Sequence, residues 1–69
     1  MFVEAFNSFK QAAESGSQWG QLNLAQMYRD GEGVEKDLSQ AIYWYQQAAE
    51  QNNHKAKIQL KELCIEHAC

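Results

Sequence analysis

The residues best suited to metal or thiol chemistry lie near the end of the sequence, where Cys64, His67 and Cys69 follow one another. Residues three apart share one face of a helix, so Cys64 and His67 could both ligate one metal ion, whereas Cys69 would have to fold back. His54 stands thirteen residues before His67, or about 20 Å along a helix, and cannot join them. The spacing contains no CxxC pair, and we expect neither a metal site nor a cofactor.

Cys64 and His67 are also the only candidates for a nucleophile and its base. Cys64 lies on the apolar stripe of a predicted helix, where a free cysteine packs as a small hydrophobic residue. Cys64 and Cys69 are five residues apart and would lie on different faces of that helix, so a disulfide between them would require the helix end to unwind. We therefore expect a buried thiol at Cys64, a frayed Cys69 and no enzymatic activity.

Carboxylates cluster around a loop with two glycines, DGEGVEKD at residues 30–37. The loop lacks the DxDxDG spacing of a calcium site. Gly31 and Gly33 indicate backbone positions with positive φ, and Val34 is the one apolar residue that can turn inward to anchor the loop. Asp37 is predicted to cap the following helix, with Gln40 as its capping-box partner.

The composition of the whole chain limits the class of protein. The sequence has 69 residues, no proline and a net charge of −3, which is typical of one small helical domain. Its nine acidic and six basic residues are interspersed, so the chain offers nothing to neutralise a nucleic-acid backbone. No apolar run is long enough to span a membrane, and the first residues lack the pattern of a signal peptide. We expect a cytoplasmic protein that binds neither nucleic acid nor membrane.

An internal repeat predicts the elements that position these residues. Shifted by 36 residues, the sequence matches itself: QAAE at 11–14 falls on QAAE at 47–50, and Phe9 falls on Tyr45. Helical spacing of the apolar residues predicts four helices, over residues 2–15, 18–29, 38–51 and 54–67. We therefore predict an all-α fold, in which four antiparallel helices form a short right-handed solenoid within one domain, residues 1–69.

Short polar and small residues separate the predicted helices. Gly16 and Asn52 occupy the same repeat position, and each is expected to end a helix in the left-handed conformation. Ser17 and Asn53 follow them as helix caps. Small residues inside the helices should let neighbouring helices approach closely; they are Ala12, Gly20, Ala48 and Ala56.

The segments LAQMYRDGEGVEKD at 24–37 and AIYWYQQAAEQ at 41–51 carry the strongest signal. Their leucine, tyrosine, GxGV loop, aspartate, Trp-Tyr pair and double alanine resemble the Sel-1-like repeat, a relative of the tetratricopeptide repeat. The resemblance covers one full repeat at 17–52 and half repeats at 2–16 and 53–67. It implies a solenoid of helical hairpins with Trp44 and Tyr45 in its core. The residues to which it gives a structural role are Gly31, Gly33, Val34, Asp37, Ala41, Trp44, Tyr45 and Ala48.

The sequence departs from the repeat pattern towards its C-terminal end. Cys64 stands at the position of Tyr28, Lys61 stands at that of Ala25, and no glycine loop follows. The cysteine pairs that bridge helices in some family members are also absent. These departures suggest that the fourth helix ends the array and packs against no following repeat.

By analogy with tetratricopeptide packing, the first helix of each hairpin is expected to line a concave face that binds another protein or a peptide. Leu22 and Ile58 share a repeat position off the packing stripe, and we expect them to form one apolar strip edged by amides and charges. The residues assigned to this face are Trp19, Leu22, Asn23, Gln26, Arg29, Lys55, Ile58, Gln59, Glu62, Ile65 and Glu66.

Three interpretations of the strip stay open: a partner protein, a homo-oligomer interface, or local packing. Stacked repeats usually need about three units for stability, and Phe2, Val3 and Phe6 should leave apolar surface exposed for a second copy or a partner to cover. The resemblance implies a small adaptor, inhibitor or regulator, as in bacterial members that act in host contact or as accessory regulators. The alternatives are a homo-oligomeric structural module and, third, a Cys/His metal or thiol site.

Overall fold

The computed structural model describes residues 2–67, without the side chains of Phe2 and His67. Within this range the chain forms four α-helices and no strand: α1 (Phe2–Glu14), α2 (Gln18–Asp30), α3 (Leu38–Glu50) and α4 (His54–His67). The predicted all-α fold and its four helices are confirmed, and each predicted boundary lies within one residue of the observed one. The predicted ends are accurate because each helix begins and ends at a local signal.

The two short turns use the same device at the same repeat position. Gly16 has a φ of 98° and Asn52 a φ of 66°, a region that glycine and asparagine enter at little cost. The next residue then caps the following helix: Ser17 accepts a hydrogen bond from the backbone N–H of Gly20 at 3.3 Å. Asn53 accepts one from the N–H of Ala56 at 2.9 Å. The turns after α1 and α3 are therefore structural copies of each other.

The glycine loop between α2 and α3 follows the prediction with one difference. Gly31 and Gly33 have φ values of 71° and 72°, and Val34 is half-buried. Asp37 caps α3 by accepting from the N–H of Gln40 at 3.2 Å. The reciprocal half of the capping box is absent, because the N–H of Asp37 donates instead to the carbonyl of Tyr28 at 2.9 Å. This bond ties the end of the loop back to α2.

The helices form a sequential stack in which α2 packs against α1 and α3, and α3 packs against α2 and α4. Tyr45 and Leu24 are the largest fully buried side chains. Ala41 and Ala48 are completely buried beside Tyr45, as the resemblance implied for these positions. The centre of the fold is therefore the contact between α2 and α3, each of which has a neighbouring helix on both sides.

Three predicted positions require correction. Leu22 was expected in an exposed strip but is 2 % exposed and belongs to the core cluster with Tyr45, because α2 is covered by α3 as well as by α1. Trp44, expected in the core, is half-buried at its edge and meets the ring of exposed Tyr43 edge-on. Cys64 is only half-buried and is disulfide-bonded, so the expected buried free thiol is wrong. Cys69 lies outside the described residues.

The N-terminal end of the stack exposes part of its apolar surface, as expected. Val3 is 61 % exposed, and Phe6 is half-buried against Tyr28, with the two ring centroids 5.5 Å apart and the planes nearly perpendicular. Between residues 2 and 67, each helix is too short or too polar to cross a lipid bilayer.

Candidate protein-binding face

The first helices of the two hairpins, α2 and α4, share one surface, which we call the α2/α4 face. One direct hydrogen bond joins them: Nη1 of Arg29 donates to Oε1 of Gln59 at 2.6 Å. The polar and aromatic side chains that we assign to this face are Trp19, Asn23, Gln26, Arg29, Lys55, Gln59, Glu62 and Glu66. Trp19 is 66 % exposed, which is unusual for so large an apolar side chain.

Arg29 is held in place from its own helix as well as from α4. Its Nε and Nη2 donate to the two carboxylate oxygens of Asp30 at 3.0 and 3.1 Å. This bond is the main cause of the raised pKa of Arg29 and of the lowered pKa of Asp30. The guanidinium is therefore charged and oriented, a geometry that suits recognition of a carboxylate or a carbonyl oxygen.

A buried hydroxyl belongs to the same region of the fold. Tyr45 is completely buried, and its hydroxyl has no hydrogen-bond partner among the described residues. Burial is the main cause that raises the pKa of Tyr45 to about 12; Arg29 lowers it, while the carboxylates of Asp30 and Glu62 raise it. The phenol is therefore neutral at physiological pH and contributes no charge to the face.

An amide cluster at the other end of α2 fixes how the helices meet. Buried Gln21 donates from Nε2 to the carbonyl of Ala13 at 3.2 Å and accepts from Nε2 of Gln51 at 2.8 Å. Gln51 also donates to the carbonyl of Gly16 at 2.9 Å. Sequence reasoning missed this cluster, because its partners lie in three different elements and Gln21 has Lys57 at its repeat position.

A groove of about 200 Å³ runs between α1 and α2. Three apolar residues, two amides and one carboxylate line it: Ala5, Phe9, Met27, Asn23, Gln26 and Glu32. Sequence reasoning did not predict it, although two of its residues, Asn23 and Gln26, were among the assigned binding residues. The signal that could have found the groove is the repeat itself. Phe9 on α1 is the counterpart of the buried Tyr45 on α3, but among the described residues no helix precedes α1 to cover it as α2 covers α3.

The structure brings most of the predicted binding residues to exposed or half-exposed positions. Asn23, Gln26, Arg29 and Gln59 are half-buried, and six others are exposed: Trp19, Lys55, Ile58, Glu62, Ile65 and Glu66. Leu22 is the exception, and the predicted apolar strip of Leu22 with Ile58 does not form. Ile58 stays 52 % exposed. On α2, the equivalent side is covered by α3, whereas no described helix covers that side of α4.

Metal ligands do not converge in the described part of the chain. Between residues 2 and 67 no three His, Cys, Asp or Glu side chains lie close enough to hold an ion. The predicted candidate set of Cys64, His67 and Cys69 falls partly outside the described side chains. The carboxylates near the glycine loop serve local roles where their contacts are known, as Asp30 does with Arg29 and Asp37 as a helix cap.

Comparisons with known proteins agree with this architecture. The family model of the Sel1 repeat matches residues 20–53. A sel1-like repeat-containing protein of Acanthamoeba polyphaga mimivirus is 43 % identical over 44 residues, which cover 64 % of this chain and 8 % of that protein. The crystal structure of a Sel1 repeat protein from Oxalobacter formigenes superposes with a TM-score of 0.89 at 38 % identity, covering 93 % of this chain and 26 % of that one.

The resemblance to the Sel-1-like repeat is thereby confirmed, and the stack of helices is that of a helical solenoid. The chain spans only a small part of either relative, 8 % and 26 % of their lengths. Sel1 repeats are scaffolds that generally mediate contacts between proteins, without catalysing a reaction themselves.

Proposed function

We propose that this chain, which carries a Sel1 repeat at residues 20–53, is a small protein-binding module whose α2/α4 face takes a segment of a partner protein. The observation that supports this most is the hydrogen bond from Arg29 to Gln59. It joins two helices into one surface and, with the ion pair to Asp30, fixes the position of the guanidinium. A surface ordered before binding loses less conformational entropy when the partner arrives.

The chemistry of the face suggests the kind of segment that fits. Trp19 supplies a large exposed aromatic anchor, and Lys55 lies at the same repeat position on α4. Glu62 and Glu66 place negative charge further along α4. We infer a segment with an apolar side chain for Trp19, a carboxylate near Lys55 and a basic residue near the two glutamates.

The direct test is retention of partners from a lysate of the source organism on the immobilised chain. Proteins retained by the wild type should be lost with Trp19→Ala, and Lys55→Glu should weaken the same contacts. Once a partner is identified, we expect Trp19→Ala to raise its Kd by about 30-fold, as removal of a central aromatic anchor does.

A matched control distinguishes binding at this face from non-specific binding by exposed aromatic residues. Tyr43 is 49 % exposed on α3, away from the α2/α4 face, so Tyr43→Ala should retain the same proteins as the wild type. Leu22→Glu is unsuitable as a probe because Leu22 is buried. A set of retained proteins that is identical for Trp19→Ala and the wild type would contradict the proposal.

The wider role that we propose is that of an adaptor, inhibitor or regulator in the cytoplasm. The cell would be a bacterium or the host of a virus, the two kinds of source from which the relatives come. We infer a protein partner in preference to nucleic acid because the net charge is −3 and the basic residues are interspersed with acidic ones. We also infer that no membrane takes part, and that no metal or cofactor is needed.

The second candidate function is that of a homo-oligomeric structural module without a foreign partner. The observation that favours it is the exposure of three apolar side chains at the two ends of the stack, at Val3, Ile58 and Ile65. Light scattering distinguishes the two candidates, because a chain that remains monomeric while it retains a partner fits only the first.

A further inference from the structure

The two ends of the stack are unequal copies of its interior. Under the shift of 36 residues, α1 (Phe2–Glu14) coincides with α3 (Leu38–Glu50), and α4 (His54–His67) begins where α2 (Gln18–Asp30) does. Inside the stack, α2 packs on α3. If α4 of a second copy packed on α1, it would therefore repeat the contact that α2 makes with α3 inside the chain.

The burial of equivalent residues shows which surface such a contact would cover. Tyr45 on α3 is 0 % exposed, whereas Phe9, its counterpart on α1, is half-buried and lines the open groove. Leu22 on α2 is 2 % exposed, whereas Ile58, its counterpart on α4, is 52 % exposed. Among the described residues, Phe9 and Ile58 thus have no helix in the place of the one that covers each counterpart.

We propose that α4 of one copy docks on α1 and α2 of the next copy, in the place that α2 holds on α3 and α4. The proposal does not depend on the function proposed for the α2/α4 face. In this arrangement Ile58 of the incoming copy lies against α1 as Leu22 lies against α3. The two half repeats complete one another across the interface.

The groove between α1 and α2 receives a specific side chain in this arrangement. Within the chain, Arg29 of α2 reaches Gln59 of α4. The counterpart of Arg29 on the incoming α4 is Ile65, which is 73 % exposed, and the counterpart of Gln59 is Asn23, which lines the groove. An exposed isoleucine therefore meets a groove whose apolar part is Ala5, Phe9 and Met27, and contact with these three residues removes apolar surface from water.

The charges of the two surfaces are complementary in part. Half of the six basic residues of the sequence lie on α4, at Lys55, Lys57 and Lys61, and outnumber its two acidic residues, Glu62 and Glu66. The groove carries the carboxylate of Glu32, in a loop that is mainly acidic. Opposite charges on two docking surfaces favour this pairing over contact between two like ends.

Lys61 is the residue that argues against the contact, since it replaces the fully buried Ala25. A lysine can lay its aliphatic stem along an apolar surface while its ammonium group stays in water. Two exposed isoleucines gain from burial at the same interface. Against this gain stand the side-chain freedom that Lys61 loses and the room that its stem needs at the position of a buried alanine.

A contact between two different surfaces does not close on itself in pairs. It propagates from copy to copy and gives assemblies whose size grows with concentration. This separates the proposal from a two-fold symmetric dimer through α1, which would stop at two copies.

The test uses two variants of the 69-residue chain, each of which blocks one end. Ala5→Glu places a charge in the groove, and Ile58→Glu places one on the exposed face of α4. Sedimentation between about 10 µM and 1 mM should show the wild type growing beyond a dimer and each variant remaining at 7.9 kDa. An equimolar mixture of the two variants should form a heterodimer and nothing larger, because only one pair of intact surfaces remains.

Several results would overturn the proposal. These are a monomeric wild type over the whole range, a wild type that stops at a dimer, a single variant that still associates, and a mixture of folded variants that stays monomeric. Circular dichroism establishes that each variant is folded, and Asn23→Glu and Ile65→Glu replace any variant that is not. Tyr43→Glu, which alters an exposed aromatic residue away from both ends, should assemble as the wild type does. Partner binding through Trp19 is measured separately and can fail or succeed independently.

Discussion

Gly20 lies so close to Ala12 that a methyl group added at Gly20 would come within 2.6 Å of the Ala12 side chain and 2.7 Å of the backbone nitrogen of Ala13. Both distances are far inside van der Waals contact, and the second involves backbone that cannot rotate away. The approach of α1 to α2 therefore depends on the absence of a side chain at this position.

We predict that Gly20→Ala destabilises the fold. Alanine gains about 1 kcal/mol of helix propensity over glycine, but overpacking against fixed backbone costs roughly 1–3 kcal/mol or more. Urea unfolding followed by circular dichroism should show a lower midpoint. The matched control is Ala56→Gly at the same repeat position, where Ala56 is already fully buried. It should lose about 2 kcal/mol, because about 1 kcal/mol of helix propensity and a buried methyl group are both lost. A Gly20→Ala protein as stable as the wild type would contradict the tight contact.

Tyr45→Phe is expected to stabilise the fold by about 1 kcal/mol at neutral pH, because a buried hydroxyl without a partner is removed. The pH dependence provides a second readout. The pKa of unfolded Tyr45 is near its ordinary value of 10.0, whereas the folded pKa is about 12, so the unfolded state releases its proton first. As the pH rises from 10.0 to about 12, the wild type should lose about 1.4 kcal/mol per pH unit relative to Tyr45→Phe.

Taking the difference between the unfolding free energies of the two proteins removes the effect of lysine titration, because both proteins have the same lysines. Unfolding free energies measured below pH 10.0 and again between 10.0 and about 12 give the comparison. A gap that does not widen with pH would mean that the phenol ionises as easily when folded as when unfolded.

Gln21→Leu should reduce the free energy of unfolding by roughly 1–3 kcal/mol, because the carbonyl of Ala13 and the amide of Gln51 each lose one of their hydrogen bonds. Gln51→Leu should cost less, since Gln51 is exposed and water can replace it. The double variant should lose less than the sum of the two single losses, as expected of residues in one network. Gln46→Leu on the exposed side of α3 is the control. Additive losses would show that Gln21 and Gln51 act separately.

The left-handed residue after α3 gives a prediction about the turn. Asn52→Ala should cost about 1 kcal/mol, because a φ of 66° crowds the side chain of an ordinary residue. Asn52→Gly should cost nothing or stabilise slightly, since the other turn already uses Gly16. Thermal unfolding of the two variants, with Glu50→Ala as a control inside the helix, tests the order. An Asn52→Ala protein with an unchanged midpoint would mean that the turn can relax.

The helices could be predicted closely from the sequence because their ends are local events. Ser17, Asp37 and Asn53 each bond to a backbone N–H three residues on, so the signal and its effect lie within one turn of helix. The left-handed residues are equally local, since glycine and asparagine are preferred by their own backbone geometry. Because the sequence repeats after 36 residues, the same signals occur twice, and each copy supports the helix boundaries predicted from the other.

The candidate site was predicted less completely. Helical periodicity places a residue on a face of its own helix, but it does not say which neighbour covers that face. Leu22 and Ile58 have the same repeat position and opposite burial, because α3 covers α2 and no described helix covers α4 on that side. The groove at Phe9 and the bonds of Gln21 depend in the same way on residues far apart in the chain.

Short-range chemistry in the residues themselves therefore specified where the helices of this protein start, stop and turn. The order in which those helices cover one another decided which side chains reach solvent: Leu22 became core, Ile58 and Ile65 stayed exposed, and Arg29 joined α2 to α4. The physical reason is the distance along the chain over which each interaction acts. A cap acts over three or four residues, whereas burial is a relation between neighbouring helices about half a repeat apart.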